Sequence, residues 1–485
     1  MDQRFDKRMI NVLIANHMNK KNVVWVQSGN DFVDLHYSFL TMPLGTIARL
    51  LEQHGRPRGN VTIGCLNNLY KSIVDMRTDH FRTEACKEML LYPKSVKEGL
   101  CRKLKINIDD TEATKYFMCP RKSCPEFFSN FDTSRCSSCG NLMNKEIPSP
   151  EGDGFARRFG GFDDYDEVFV RGDGNLAFIL SDDLKIENFS HDLLRKKIKD
   201  LGCINVLDEI GEGEAEIGFR EAMTLLQSLF TSETPLTTTF FPCQSSSYPS
   251  TRAYKPSRSP CDSVLGQVLS LKVYLSKHDR RKVVYVVCRE GFIDLLCTFL
   301  VLPLEYICKI YCRDDDDDDD DDDGMGCIGN LFRSFKGLSC NEITIPWYYS
   351  CRKNLLGITV QNPPSFYRCI SCLEDHSLAA KQEDRLKLVT AIDPKTEMMG
   401  QPRSSGGFVK SNKKFLVSDD LRITPLKSDL TMRELKDLKI SFDDVKIEEI
   451  SIGRAEAINL LKASFVTSSA LTNGLSDLLA KKLEG

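Results

Sequence analysis

The sequence lacks the features of secreted and membrane-spanning chains. Its first residues, Met1 to Arg8, are charged and contain no apolar core of the kind that a secretory signal needs. The most apolar run, residues 295–312, contains Pro303, Glu305 and Lys309, which make it a poor membrane span. We therefore expect an intracellular protein, in the cytoplasm or the nucleus, that is not secreted and has no membrane span.

The chain also has little net charge and few histidines. A formal net charge of −4 over 485 residues gives no overall attraction to nucleic acid or to an anionic membrane. The seven histidines form no motif. With 41% hydrophobic and 28% charged residues, the composition is that of an ordinary globular protein, and the length predicts about two to four domains.

Cysteine, by contrast, is plentiful: there are 19, an odd number. Most of them stand singly among apolar residues. In a reducing compartment this arrangement is typical of small buried side chains and not of disulfides.

The chain repeats itself over a long distance. Several sequence blocks recur in the same order in the two halves of the chain. The matched blocks are 32–44 with 292–304, 64–72 with 326–334, 181–184 with 418–421, and 221–226 with 456–461. A repeat of this length is far too long for a solenoid unit, so it predicts two homologous tandem domains.

The predicted fold class is α+β, with a β-hairpin or small sheet packed against helices in each domain. The first copy is predicted to span 1–236, with a zinc-ribbon-like segment at 117–142, and the second copy 261–485. Residues 237–260 between them are rich in serine, threonine and proline, a composition that suits a linker.

Within each copy the hydrophobic pattern predicts the order of the elements. A hairpin comes first, formed in the second copy by alternating apolar residues at 269–275 and an apolar strand at 283–287. An apolar helix follows and is interrupted near Pro43 or Pro303. The last helix of the second copy has apolar residues at helical spacing: Ala455, Ile458, Leu461 and Phe465.

Ten consecutive aspartates occupy residues 314–323 of the second copy. The first copy has a very different sequence in the same gap, so we expect an exposed loop. Self-repulsion keeps such a run extended, and the run lacks the spaced ligands and the glycine of a calcium-binding loop.

Four clustered cysteines stand apart from the others: Cys119, Cys124, Cys136 and Cys139. Paired thiolates on two tight turns supply the four soft ligands that Zn²⁺ prefers, and Gly140 suits the left-handed backbone of such a turn. Four thiolates leave no open position for water or substrate, so the pattern predicts a structural zinc site. Four reduced cysteines in a loop, or a redox-active C-x-x-C pair, are the alternatives.

The second copy departs from this pattern. Cys369 and Cys372 match the later pair, but no partner pair lies upstream. His376 or Cys351 could complete a site, although two ligands alone rarely hold zinc. We expect that this copy has lost its metal.

Several blocks resemble the plant-specific family called domain of unknown function 674 (DUF674). They include "NDFVDLHYSFLTMPLGTI", "GCLNNLYKS", "CKEMLLYP", "KYFMCP", "CSSCG" and "SDDL". The resemblance covers nearly the whole chain and both copies. It implies a plant protein but no established activity.

Three functions are compatible with these features. The first is a non-enzymatic scaffold or interaction protein that binds an unknown protein partner. The second is a nucleic-acid-associated protein that uses the zinc element, with basic residues Arg121, Lys122, Arg135 and Lys145 and aromatic residues Phe117, Phe127, Phe128 and Phe131. The third is an enzyme of undetermined class, whose candidate acids recur in both copies: Asp182, Asp183, Asp419 and Asp420.

Overall fold

The computed structural model describes most of the chain in segments. The described residues are 11–17, 20–55, 63–95, 97–104, 106–124, 127–147, 168–170, 177–200, 210–241, 254, 268–279, 281–311, 325–338, 377–382, 385–395, 407–426 and 445–484. We call the described residues up to 241 the first half and those from 268 onward the second half. The aspartate run 314–323, Cys369 and Cys372, and most of the predicted linker lie outside the described residues.

The first half contains eight strands and eight α-helices among its described residues. The strands are β1 (Asn11–His17), β2 (Lys20–Ser28), β3 (Tyr116–Met118), β4 (Phe127–Ser129), β5 (Lys145–Ile147), β6 (Phe178–Ser181), β7 (Ile186–Asn188) and β8 (Ile210–Glu216). The helices are α1 (Asn30–Thr41), α2 (Leu44–His54), α3 (Leu66–Asp75), α4 (Glu84–Leu91), α5 (Glu98–Cys101), α6 (His191–Asp200), α7 (Phe219–Thr231) and α8 (Pro235–Phe240). Helix α8 takes up the first residues of the segment predicted to be a linker.

The second half has the same kinds of elements. Its described strands are β9 (Leu269–Ser276), β10 (Val283–Arg289), β11 (Ser377–Gln382), β12 (Arg385–Ala391), β13 (Lys414–Ser418), β14 (Ile423–Pro425) and β15 (Val445–Ile452). Its described helices are α9 (Glu290–Val301), α10 (Leu304–Tyr311), α11 (Cys327–Gly337), α12 (Arg454–Val466), α13 (Ala470–Gly474) and α14 (Ser476–Glu484). The mixture of helices and small sheets confirms the predicted α+β class.

Two antiparallel five-stranded sheets have the same spatial order. The first half forms β7-β6-β2-β1-β8 and the second forms β14-β13-β10-β9-β15. The predicted hairpins β1–β2 and β9–β10 form the centre of each sheet, because alternating apolar side chains can be buried on one face. The outer strands β8 and β15 were not expected from the sequence.

A third five-stranded sheet joins the two halves. Its order is β11-β12-β4-β3-β5, so the first half supplies three strands and the second half supplies two. The junction is a parallel pair in which Thr390 and Ala391 lie opposite Phe127 and Phe128. The pair continues one residue further, where the Ile392 N–H donates to the Phe128 carbonyl oxygen at 2.9 Å.

Proline breaks the long apolar helix of each half, as predicted. Helix α1 ends at Thr41 and α2 starts at Leu44, while α9 ends at Val301 and α10 starts at Leu304. The two breaks meet: Pro43 forms an isolated antiparallel bridge with Pro303. The Leu44 N–H donates to the Leu302 carbonyl, and the Leu304 N–H donates to the Met42 carbonyl, both at 2.9 Å.

One hydrophobic core contains side chains from both halves. It includes Phe32 and Phe39 of α1 and Phe292 and Phe299 of α9, each at most 1% exposed. Helix α9 packs against α2, and α1 packs against α10. Helix α1 is buried at every residue from Phe32 to Thr41 and α9 at every residue from Phe292 to Leu300, so neither helix has an exposed face over these residues.

Helix α12 differs from its predicted pattern for the same reason. Of the predicted stripe, Leu461 and Phe465 are buried, but Ala455 and Ile458 are only partly buried. Asn459 and Lys462 are buried as well, and the Lys462 ammonium lies 4.7 Å from the centre of the Tyr311 ring. The helix packs against neighbours on several sides, so the helical spacing of apolar residues alone does not predict which of its side chains are buried. In the described part of the chain, no helix is long and apolar enough to cross a membrane.

A buried aspartate in each half fastens a distant segment of backbone. Asp34 Oδ1 accepts hydrogen bonds from the N–H groups of Phe169 and Val170, at 3.0 and 2.9 Å. Asp294 Oδ1 accepts from Phe408 and Val409, at 2.7 and 3.1 Å. Burial raises the pKa of Asp34 from 3.8 to about 7 and that of Asp294 to about 6, although the backbone bonds oppose this.

These raised pKa values predict a pH dependence of stability. An acid that holds its proton in the folded state stabilises less as pH rises from its unfolded pKa towards its folded pKa. For Asp34 the rise from 3.8 to about 7 corresponds to roughly 4 kcal/mol of unfolding free energy lost over that interval. Asp34→Asn keeps an oxygen acceptor and removes the titrating proton, so its stability should fall less than that of the wild type between pH 4.5 and 7.5.

Denaturant unfolding at several pH values measures this difference. Asp75→Asn, at an exposed position at the end of α3, is the matched control and should follow the wild-type profile. Parallel profiles for Asp34→Asn and the wild type would contradict the assignment.

Candidate metal centre

The four clustered cysteines lie in a small unit that we call the thiol module, the described residues of 116–147. Cys119 directly follows β3, and Cys136 and Cys139 lie between β4 and β5. The three strands are short because the module is small, and they form one edge of the third sheet. A small apolar cluster of Tyr116, Met118 and Phe128 covers them.

Two tight turns present the sulfurs. In the first, the Cys124 N–H donates to the Arg121 carbonyl at 3.0 Å. In the second, the Gly140 N–H donates to the Cys136 carbonyl at 2.8 Å, and Gly140 has a φ of 72°. This left-handed conformation favours glycine, which explains the residue that follows the second pair.

The turns bring the four sulfurs into one cluster. All four Sγ atoms lie within 4.8 Å of one another, and those of Cys119 and Cys139 are 3.5 Å apart. Sulfurs at about 2.3 Å from a tetrahedral zinc would lie roughly 3.8 Å apart, so the cluster has the right size for such an ion. Cys119, Cys124 and Cys136 are buried and Cys139 is partly exposed.

The environments of the thiols differ. Burial raises the pKa of Cys119 to about 12 and also raises the pKa of Cys124. A backbone hydrogen bond at Asn141 lowers the pKa of Cys139 to about 7. Cys139 therefore loses its proton more readily than Cys119 or Cys124.

The module is attached to the rest of the molecule on two sides. Met143 and Ile392 pack against the cysteines, and Ile392 belongs to the second half. On the other side, Phe131 packs against the main core. A cleft of about 560 Å³ lies between the module and the start of α4, and Pro394 is the one described residue of the second half that lines it.

The candidate acids of the enzyme hypothesis are all engaged in hydrogen bonds. Asp182 accepts from the N–H and the hydroxyl of Thr237, at 2.9 and 2.5 Å, and Asp419 accepts from those of Thr472, at 2.8 and 2.9 Å. Burial raises the pKa of Asp182 to about 6. Asp182 fastens α8 and Asp419 fastens α13, each within its own half, so their arrangement is that of structural groups.

The basic and aromatic candidates of the nucleic-acid hypothesis are divided between surface and interior. Arg121, Lys122, Arg135 and Lys145 are exposed. Phe128 is 3% exposed and lies in the small core under the strands, so it offers no stacking surface. Phe117, Phe127 and Phe131 are partly buried.

Comparison with known proteins confirms the resemblance noted in the sequence. The model of DUF674, a family of proteins of unknown function, matches residues 6–455. The chain belongs to the DUF674 family. No curated protein and no solved structure matches the chain.

The hydrogen bonds of Thr237 predict a stability effect. Its hydroxyl donates to Asp182 and accepts from the Val23 N–H at 2.8 Å. Thr237→Val removes the hydroxyl, so the Val23 N–H loses its acceptor and the Asp182 carboxylate loses one donor. This should lower the free energy of unfolding by about 1–3 kcal/mol. Denaturant unfolding tests this, with Thr78→Val at an exposed site as the control. A loss no larger than that of the control would show that Thr237 is dispensable.

Proposed function

We propose that Cys119, Cys124, Cys136 and Cys139 bind one structural Zn²⁺ and that the protein is a non-enzymatic scaffold or interaction protein. The observation that carries the metal assignment is the approach of four sulfurs to within 4.8 Å on two tight turns. Four thiolates complete the coordination of zinc and leave no position for water or substrate, so the ion holds structure instead of catalysing a reaction.

The position of the thiol module supports a role in joining the halves. The module is too small to bury a large core, and metal binding commonly replaces such a core in small units. Its strand β4 pairs with β12 of the second half. Zinc would therefore stabilise the third sheet, and with it a connection between the two halves.

We further propose that the chain consists of two homologous copies, 1–236 and 261–485. The recurring sequence blocks and the identical strand order of the two large sheets support this. The four-thiol site lies in the first copy, so the shared architecture does not require the metal.

The scaffold proposal rests on how the polar groups are used. The recurring aspartates Asp182 and Asp419 are occupied in hydrogen bonds that fasten α8 and α13, which is a structural use of these groups. Every cysteine in the described part is a free thiol, which supports an intracellular location.

Nucleic-acid binding through the thiol module is the second candidate. The exposed Arg121, Lys122, Arg135 and Lys145 favour it. Binding of this kind weakens steeply as salt is raised, whereas a partner bound through apolar contacts is far less sensitive. Capture of partners at low and at high salt separates the two proposals.

Metal analysis of the purified protein tests the zinc assignment. We expect one zinc ion per chain in the wild type and a content near zero in Cys136→Ser. Cys101→Ser, which changes a cysteine outside the cluster, should keep its zinc. X-ray absorption should show four sulfurs at about 2.3 Å. Zinc-free wild-type protein from metal-rich medium, or an oxygen ligand at the ion, would contradict a closed four-thiolate site.

Removal of the metal should loosen the junction between the halves. We expect faster hydrogen exchange at the Ile392 amide and across β4 after chelation, because the zinc no longer holds the module that β12 pairs with. Exchange in β2 and β10, at the centres of the large sheets, should not change. Unchanged exchange at Ile392 in zinc-free protein would show that the junction does not depend on the ion.

A further inference from the structure

We propose that the two halves of the chain are obligate binding partners, interlocked by an exchange of helices, and do not act as two independent modules on a linker. Helix α3 of the first half completes the second half, and α11 of the second half completes the first. The partner surface on each side is a Ser-Asp-Asp-Leu turn, formed by residues 181–184 and 418–421.

An asparagine on each exchanged helix binds the turn of the opposite half. The Asn68 side-chain N–H₂ donates to the Asp420 carbonyl and carboxylate oxygens, both at 3.1 Å. In the reverse direction, Asn330 donates to the Asp183 carbonyl and carboxylate oxygens, at 2.9 and 3.2 Å. The two sets of contacts match atom for atom.

A serine one helical turn further on makes a second matched contact. The Ile423 N–H donates to Ser72 Oγ at 3.0 Å, and the Ile186 N–H donates to Ser334 Oγ at 2.9 Å. Residues four apart lie on the same face of a helix, so each helix can bind two backbone groups at the opposite turn: a carbonyl through its asparagine and an N–H through its serine. Ile423 and Ile186 are the first residues of β14 and β7, which form one edge of each large sheet, while β15 and β8 form the other edge.

Each turn forms hydrogen bonds with its own half and with the other half. Its first aspartate, Asp182 or Asp419, binds a threonine of its own half, and its second, Asp183 or Asp420, binds the asparagine of the other half. The leucine that ends the turn, Leu184 or Leu421, has a φ of 64° or 62°. This strained conformation is uncommon for leucine and indicates that surrounding contacts hold the turn.

The starts of the exchanged helices are also seated in the opposite half. The Cys65 N–H donates to the Ser464 carbonyl at 2.8 Å, and the Cys65 thiol donates to the Thr467 carbonyl at 3.0 Å. The Cys327 thiol donates to the Glu233 carbonyl at 3.3 Å. A Cβ at Gly64 would lie 2.4 Å from the Ser464 carbonyl oxygen, so only glycine allows this approach.

Apolar packing extends the exchange across the centre of the molecule. The Tyr37 and Phe335 rings are 3.9 Å apart and those of Phe230 and Phe465 are 6.1 Å apart, each pair joining the two halves. Separated halves would expose this apolar surface to water. Domains that move independently usually meet through a smaller and more polar interface.

Cutting the intact chain between the halves tests the interlock. A protease site inserted among Ser245, Ser246 and Ser247, outside the described residues, allows cleavage after folding. We expect the cut halves to co-elute as one species of full mass under native conditions and to separate only in denaturant. Two folded fragments that elute separately at micromolar concentration would overturn the proposal.

Introducing a negative charge on each exchanged helix tests which contacts hold the halves together. The double variant Asn68→Asp, Asn330→Asp places carboxylates against Asp420 and Asp183, so the dissociation constant of the cut halves should rise roughly tenfold or more through like-charge repulsion. Asn144→Asp, at an exposed site in the thiol module, should leave it unchanged. A double variant as tight as the control would contradict the exchange.

Two further variants separate the role of the exchanged helices from a failure to fold and from the role of the metal site. If the double variant does not fold, Ser72→Ala with Ser334→Ala removes the acceptors for Ile423 and Ile186 and should weaken the cut halves in the same direction. Cut Cys136→Ser protein should still co-elute, because the interlock does not use the thiol module. Separation of the halves in Cys136→Ser alone would assign their attachment to the metal and not to the helices.

Discussion

The register of the two halves relative to each other depends on a pair of side chains one helical turn apart, Asn68 and Ser72 in one half and Asn330 and Ser334 in the other. Each pair binds the turn of the opposite half. A single neutral hydrogen bond of this kind contributes only about 1 kcal/mol, so most of the stabilisation comes from the apolar surface that the halves bury together. The polar contacts fix the register, because a displaced helix would leave buried donors and acceptors unpaired.

The thiol module adds a second, smaller connection at the edge of this body. Its strands alone have little core, and its four sulfurs lie where a metal ion would hold the two turns together. Through β4 and Ile392 it reaches the second half. The four cysteines lie in an apolar cluster separate from the main core, so loss of the ion should affect the third sheet and leave the main core in place.

Much of this structure could be predicted from local sequence patterns. Alternating apolar residues give the hairpins, Pro43 and Pro303 give the helix breaks, and the spacing of the cysteines brings Cys119 and Cys139 to 3.5 Å. Strands β8 and β15 escaped prediction because they are edge strands. Five of the seven residues in β8 are glycine or glutamate, which is a weak strand signal.

The exchange of helices could not be predicted, for a different physical reason. Both halves carry the same helix motif and the same Ser-Asp-Asp-Leu turn, so Asn68 is chemically as well suited to Asp183 as to Asp420. Local complementarity therefore permits packing within a half and packing between halves equally well. Whether a helix packs within its own half or against the other half depends on the loops that connect the helices and on the packing of α2 against α9. These are long-range features that no short sequence pattern predicts.

Hydrogen exchange at Ile186 and Ile423 tests the central claim most directly, because each of these amides donates to a serine of the opposite half. If the halves are interlocked, both amides open only when the whole protein unfolds, with the same free energy of opening as the amides of β2 and β10. Free exchange at these two positions while β2 and β10 stay protected would show that the helices leave the opposite turns in the native state, and would contradict the account.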